Sequence, residues 1–149
     1  MELNLDIEKV KTLMNDIEKS IDILKKYQDL SLAEFQKNQT AIDQVAYRLQ
    51  RAIEGMISLG THILAKTPGE GIQKDYGSIF LSLSKLGIIP DDRAVVFRKM
   101  ASYRNRLVHD YYHVTEEELH DKMQNNLGDF EEFLGYVSDY LEKIKYEKK

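Results

Sequence analysis

Apolar residues recur along this chain at alternating steps of four and three, the period of a helix buried along one stripe. Leu3, Ile7, Val10, Met14, Ile17, Ile21 and Leu24 keep that rhythm and predict a helix over 1–26. Ser31 with Glu34 three residues on has the form of a capping box, and Leu30 and Phe35 are spaced as a hydrophobic staple. A second helix is expected over 31–66, its stripe running Ile42, Val45, Leu49, Ile53, Met56, Gly60 and Ile63. Gly55 and Gly60 weaken it intrinsically and are read as points where a neighbouring helix comes close.

Thr67-Pro68-Gly69-Glu70-Gly71 interrupts the pattern, and 67–75 reads as a loop. A short helix over 76–86 stops at Gly87. Pro90, placed as a first-turn proline, with Asp91 and Asp92 at the positive end of the dipole, opens a helix over 90–110 that loses regularity near Tyr111. Thr115 to Glu118 forms another capping box. The last helix, 115–146, carries Met123, Leu127, Phe130, Leu134, Val137, Leu141 and Ile144 on its seam. Strand alternation is absent, and no stretch has the length and composition of a linker. Residues 1–149 are therefore expected to form one all-α domain, an antiparallel bundle of about five helices. The seams at the two ends are long for one small core to absorb, so a homodimer that buries part of them is expected.

Composition narrows the setting. The chain has 149 residues and no cysteine, which excludes disulfides and thiolate metal sites. Its first residues lack the basic-then-apolar layout of a secretory signal, and no apolar run approaches the length of a membrane span. A soluble cytoplasmic protein without membrane contact is expected. The net charge of −4 makes the whole surface no general magnet for nucleic acid. One region departs from that average. Arg93, Arg98, Lys99, Arg104 and Arg106 occur between 93 and 109 with no carboxylate among them.

That basic run ends in Arg104-Asn105-Arg106-Leu107-Val108-His109-Asp110-Tyr111, two cations, an imidazole and a phenol in eight residues. Arginine grips phosphate with a planar fork of donors, histidine moves protons near neutral pH, and a tyrosine hydroxyl can be modified. The set suits phosphodiester chemistry. On an ideal helix, however, Arg104 and His109 point about 140° apart, while Arg104 and Tyr111 share a face. Either the helix ends between Arg104 and His109 or a symmetry mate supplies the other half, and both routes lead to a composite cleft at a two-fold axis.

Plainer roles exist for each residue. Arg106 can pair with Asp110 at i+4, a lone histidine is more often a core or capping residue, and Tyr111 and Tyr112 can be packing residues with wet hydroxyls. His109 and His113 at i, i+4 could face a metal, but zinc needs a third ligand and no His-Glu-x-x-His pattern is present.

The segment resembles the Arg-x4-His-x-Tyr signature of the HEPN superfamily, in its HepT-like branch, with Arg104, His109 and Tyr111 in the three signature positions and the polar Asn105 following the arginine. Arg51 to Glu54, Gly60 to Ile63 and the 76–90 region resemble the same branch, so the likeness covers nearly the whole chain. The resemblance implies a homodimeric, metal-independent endoribonuclease acting as a toxin, without a cofactor. It also implies a minimal nucleotidyltransferase antitoxin (MntA-like) that silences the toxin by moving AMP from ATP to Tyr111, with Tyr112 an available neighbour. On this expectation Arg104 and His109 are catalytic, and Asn105, Arg106, Arg98 and Lys99 guide the RNA phosphates. The alternative is a non-catalytic helical dimer that binds and assists a nucleotidyltransferase.

Overall fold

The computed structural model describes residues 5–70, 73 and 75–147, the last two as backbone only, and every regular element among them is helical. In chain order these are α1 (Ile7–Lys25), α2 (Leu32–Gln36), α3 (Gln39–Ala65), α4 (Tyr76–Lys85), α5 (Asp91–His109), a 3-10 turn (Tyr111–His113), α6 (Glu116–Asn125) and α7 (Leu127–Glu147). The all-α architecture is as expected, but with seven helices rather than about five.

The two extra helices come from breaks the apolar period does not show. The helix expected over 31–66 divides at Asn38, whose side chain caps α3 by accepting the Ala41 N–H at 3.0 Å. Asparagine competes for backbone donors in this way, and so favours caps over helix interiors. The helix expected over 115–146 divides at Asn126, whose amide donates to Asp129 at 2.9 Å across the new start. Pro90 stands one position before the first turn, as the N-cap of α5. At the front, α1 begins at Ile7, which is 47% exposed, so one chain alone leaves that end of the first seam uncovered. Leu3 lies outside the described residues, as do Gly71, Ile72 and Lys74 of the 67–75 loop.

The middle helix organises the rest. All seven stripe positions of α3 are buried, and α3 packs against each of the other six helices. Two contacts fix α1 antiparallel to it: Asp6 meets His62, and Asp16 pairs with Arg51 at 2.9 Å. Gly55 and Gly60 permit the close approaches the sequence implied. A Cβ on Gly55 would sit 2.5 Å from Ile17 of α1, and one on Gly60 would sit 2.5 Å from Ile79 of α4. At the end of α4, Gly87 takes φ +76°, and the N–H groups of Gly87 and Ile88 reach back to the carbonyls of Ser84 and Leu83. This Schellman turn needs a residue without a Cβ and folds α5 back along α4.

Phe80, Phe97 and Phe133 then bind α4, α5 and α7 into one block, with ring centroids 5.3–6.0 Å apart and largely edge-to-face. Such pairs add about 0.5–1.5 kcal/mol each beyond the area they bury. Arg93 reinforces the block by pairing with Asp129 and Glu132 of α7. α5 is thus clamped against α4 and α7 along the side that carries Arg93 and Phe97. No helix among the described residues is long and apolar enough to cross a membrane.

Candidate active site

Arg104 leaves α5 toward α3 and lands on Glu54. Its Nε and Nη2 both donate to Glu54 Oε1, at 3.2 and 3.1 Å, while Nη1 donates to Asn105 Oδ1 at 3.2 Å. The guanidinium also lies over the ring of Tyr76, at the start of α4, 5.4 Å from its centroid. Only 16% of the side chain is exposed. The guanidinium is therefore held on one edge and one face, with one N–H left on each terminal nitrogen.

His109 is the opposite case. It ends α5, is exposed, and has no side-chain hydrogen bond or ion pair among the described residues. A core or capping histidine would show such a partner, and His62 and His120 both do. His62 Nε2 accepts the Asp6 N–H at 3.1 Å, and His120 Nε2 lies 2.8 Å from the Leu30 carbonyl. Burial, then Lys9 and Lys66, pull the His62 pKa down, with Asp6 opposing them.

α5 runs unbroken from Arg104 through His109. The first of the two routes to a shared site, a helix end between these residues, is therefore closed. Within one chain they point away from each other. The helix stops at Asp110, whose carboxylate holds His113 Nδ1 at 2.5 Å. His113 is thus occupied by Asp110, and the described residues contain no cluster of three or more His, Asp or Glu able to hold a metal.

Tyr111 begins the 3-10 turn, so it does not ride on the Arg104 face as continued helical spacing would have it. It is 43% exposed. Burial, then Asp43 and Glu116, push its pKa up, so the phenol holds its proton near neutral pH. Tyr112 is fully exposed.

The other basic residues separate into two groups. Arg106 turns inward, with Nη1 3.1 Å from Glu118 Oε2 and Nη2 donating to the His113 carbonyl at 3.1 Å. Asp110, its expected i+4 partner, is engaged elsewhere. Glu118 in turn does not complete the expected capping box: Thr115 accepts the Glu118 N–H, but the Glu118 carboxylate goes to Arg106. Arg98, Lys99, Asn105 and His109 are all exposed, with Lys99 about 80° around α5 from His109. Arg98 also packs on Gly77, where a Cβ would be 3.0 Å from its side chain. Lys99 borders a cavity of about 110 Å³ beside Tyr103 and Lys122.

Glu54, Tyr76, Asp43 and Glu118 are the site residues the sequence did not reveal. Glu54 is instructive, because Arg51 three residues earlier is an ordinary helix-surface partner for it. In the fold Arg51 is taken by Asp16, and Glu54 is left for Arg104.

The family model for "Ribonuclease HepT-like" matches residues 17–137, a span that includes Glu54, Arg104, His109 and Tyr111. This chain belongs to the HepT-like ribonuclease family. A relative in Shewanella oneidensis, named mRNA nuclease HepT, is 29% identical over 105 residues, covering 70% of this chain and 78% of its own. One in Archaeoglobus fulgidus, provisionally named as an RNase, is 30% identical over 109 residues, covering 73% and 81%. Among solved structures, the tri-AMPylated Shewanella oneidensis HEPN toxin in complex with MNT antitoxin superposes with a TM-score of 0.79 at 26% identity, over 88% of this chain and 97% of that one. The cytosolic protein YutE of Bacillus subtilis, of unknown function, shares the fold at TM-score 0.78 and 18% identity, over 96% of this chain and 94% of its own. The HepT-like fold and HEPN toxin likeness expected from Arg104, His109 and Tyr111 are thereby established.

Proposed function

We propose that this HepT-like chain is a metal-independent endoribonuclease toxin whose cleft is completed by a second copy across a two-fold axis. The observation that carries the reading is the contrast within α5: a guanidinium fixed in place with two N–H groups left over, and an imidazole without a hydrogen-bond or ion-pair partner among the described residues. An unbroken helix turns the two away from each other, so a phosphate can meet both only if one comes from each copy.

In that cleft His109 removes the proton from a ribose 2′-hydroxyl. The 2′-oxygen bonds to the adjacent phosphorus, the bond from phosphorus to the 5′-oxygen breaks, and the imidazolium returns its proton to the departing 5′-oxygen. The products are a 2′,3′-cyclic phosphate and a 5′-hydroxyl end. Arg104 stabilises the charge growing on the phosphoryl oxygens. Arg98 and Asn105, on the same face as His109, and Lys99 farther round the helix steer the RNA backbone. Arg106 can join them only by giving up Glu118.

Silencing follows from Tyr111, two residues beyond His109. A nucleotidyltransferase partner moves AMP from ATP to its hydroxyl, forming a phosphodiester and releasing pyrophosphate. The phenol arrives protonated, so a base must take its proton as the bond to phosphorus forms. The added phosphate then stands where the scissile phosphate docks, and excludes it by bulk and charge.

Purified protein, offered a structured RNA and its DNA copy in excess chelator, should cut the RNA and leave the DNA intact, since DNA lacks the nucleophile. Equal cutting of both, or cutting that needs added metal, contradicts the mechanism. Stable binding to a nucleotidyltransferase without any cleavage would favour the assisting-dimer alternative.

A further inference from the structure

We infer that Glu54 is the positioning residue for Arg104, and that it acts by the geometry of its acceptor oxygen rather than by its charge. The inference rests on the nuclease reading of Arg104 and adds a residue on a different helix to it.

Glu54 Oε1 accepts from two different nitrogens of the guanidinium, Nε and Nη2. That edge-on grip fixes the plane of the guanidinium as well as its position. Gln50, one turn earlier on α3, donates to the same oxygen at 3.2 Å and holds the carboxylate in turn. Asn105 takes one Nη1 proton, and the Tyr76 ring covers one face. One N–H is left over on each terminal nitrogen, available to donate to phosphate oxygens. An arginine turning freely on its long stem would have to be ordered each time substrate docked. Here the order is built in before RNA arrives.

A carboxylate beside the phosphate-binding group is electrostatically unfavourable, because it offsets the positive charge that attracts RNA. Its presence is explained if aim matters more than attraction at this position, since a misplacement of about 1 Å at a reacting centre can cost about a hundredfold in rate. Glu54 does not touch the reacting atoms, and its whole effect passes through Arg104.

Three variants separate geometry from charge. Glu54→Gln keeps the acceptor oxygen and removes the charge. Glu54→Asp keeps the charge and withdraws the oxygen by one methylene. Glu54→Ala removes both. Single-turnover and steady-state cleavage of a defined RNA should show kcat falling about ten- to a hundredfold for Ala and Asp, with KM within about threefold of the parent, and should show Gln recovering most of the loss. Exchange of the Arg104 Nε–H, followed by nitrogen-15 NMR without RNA, should be slowed in the parent and in Gln but fast in Ala and Asp. Wild-type kcat in Glu54→Asp overturns the proposal, as does a Gln variant no better than Asp. If Glu54→Ala does not fold, the Asp and Gln pair alone decides. Should the parent cut no RNA at all, the nuclease reading fails, while the exchange measurement still reports whether Glu54 holds the guanidinium.

Discussion

Arg104 and His109 stand on the same helix, five residues apart, in opposite surroundings. Arg104 is gripped by Glu54, steadied by Asn105 and backed by Tyr76. His109 stands exposed, with no side-chain hydrogen bond or ion pair among the described residues. On the proposed mechanism, the residue that stabilises charge is held in place within one subunit and the residue that moves protons is not. A structural histidine looks different, as His62 shows, buried to 7% exposure and spent as an acceptor for the start of α1. Arg106 differs from both: it is tied to Glu118 and to a carbonyl of the turn.

Removing each half gives the largest expected effects. His109→Ala should reduce RNA cleavage by about 10²–10⁴-fold and leave the melting temperature nearly unchanged, because no side-chain hydrogen bond or ion pair among the described residues is lost. Arg104→Ala should cost about 10²–10³-fold and lower stability slightly, since Glu54 loses its partner. Cleavage assays paired with calorimetry check both, and a His109→Ala protein that melts well below the parent would break the contrast.

Arg106→Ala should act the other way round. Its ion pair is about two-fifths exposed, so roughly 1 kcal/mol of stability or less is expected to go. Cleavage should stay within a few-fold unless the 3-10 turn carrying Tyr111 shifts. Denaturant melts and cleavage rates measured together would show which side of the comparison Arg106 belongs to.

The smallest effect concerns the buried histidine. His62 has a folded-state pKa below its unfolded value of about 6.5, so the unfolded chain takes up the proton first. Its contribution is whole above that pH and declines as pH falls through the folded pKa. The melting temperature should drop on acidification below about 6.5, and His62→Gln should flatten that part of the curve.

These contrasts also show what could be read without coordinates. The α3 stripe was legible because its buried side chains obey a period that only a helix produces. The breaks at Asn38 and Asn126 were not, because the apolar rhythm runs on through them: Met123, Leu127 and Phe130 stay buried on either side of the second. Arg104, His109 and Tyr111 could be singled out because their chemistry and spacing are uncommon together. Their partners could not. Glu54 and Arg106 each had an ordinary neighbour on their own helix, Arg51 and Asp110, and only the packing of α1, α6 and the turn draws those neighbours away. Local spacing offered several pairings for each charge, and long-range packing chose among them.

A mixture of the two inactive variants tests the central claim most directly. Arg104→Ala and His109→Ala proteins, unfolded together and refolded, should form mixed dimers in which the arginine of one copy faces the histidine of the other. Random pairing makes about half of the dimers mixed, each with one whole site of two, so about a quarter of the parent activity should return. If both variants dimerise and exchange subunits, yet the mixture stays as inactive as its components, the cleft is not shared between copies and the account is wrong.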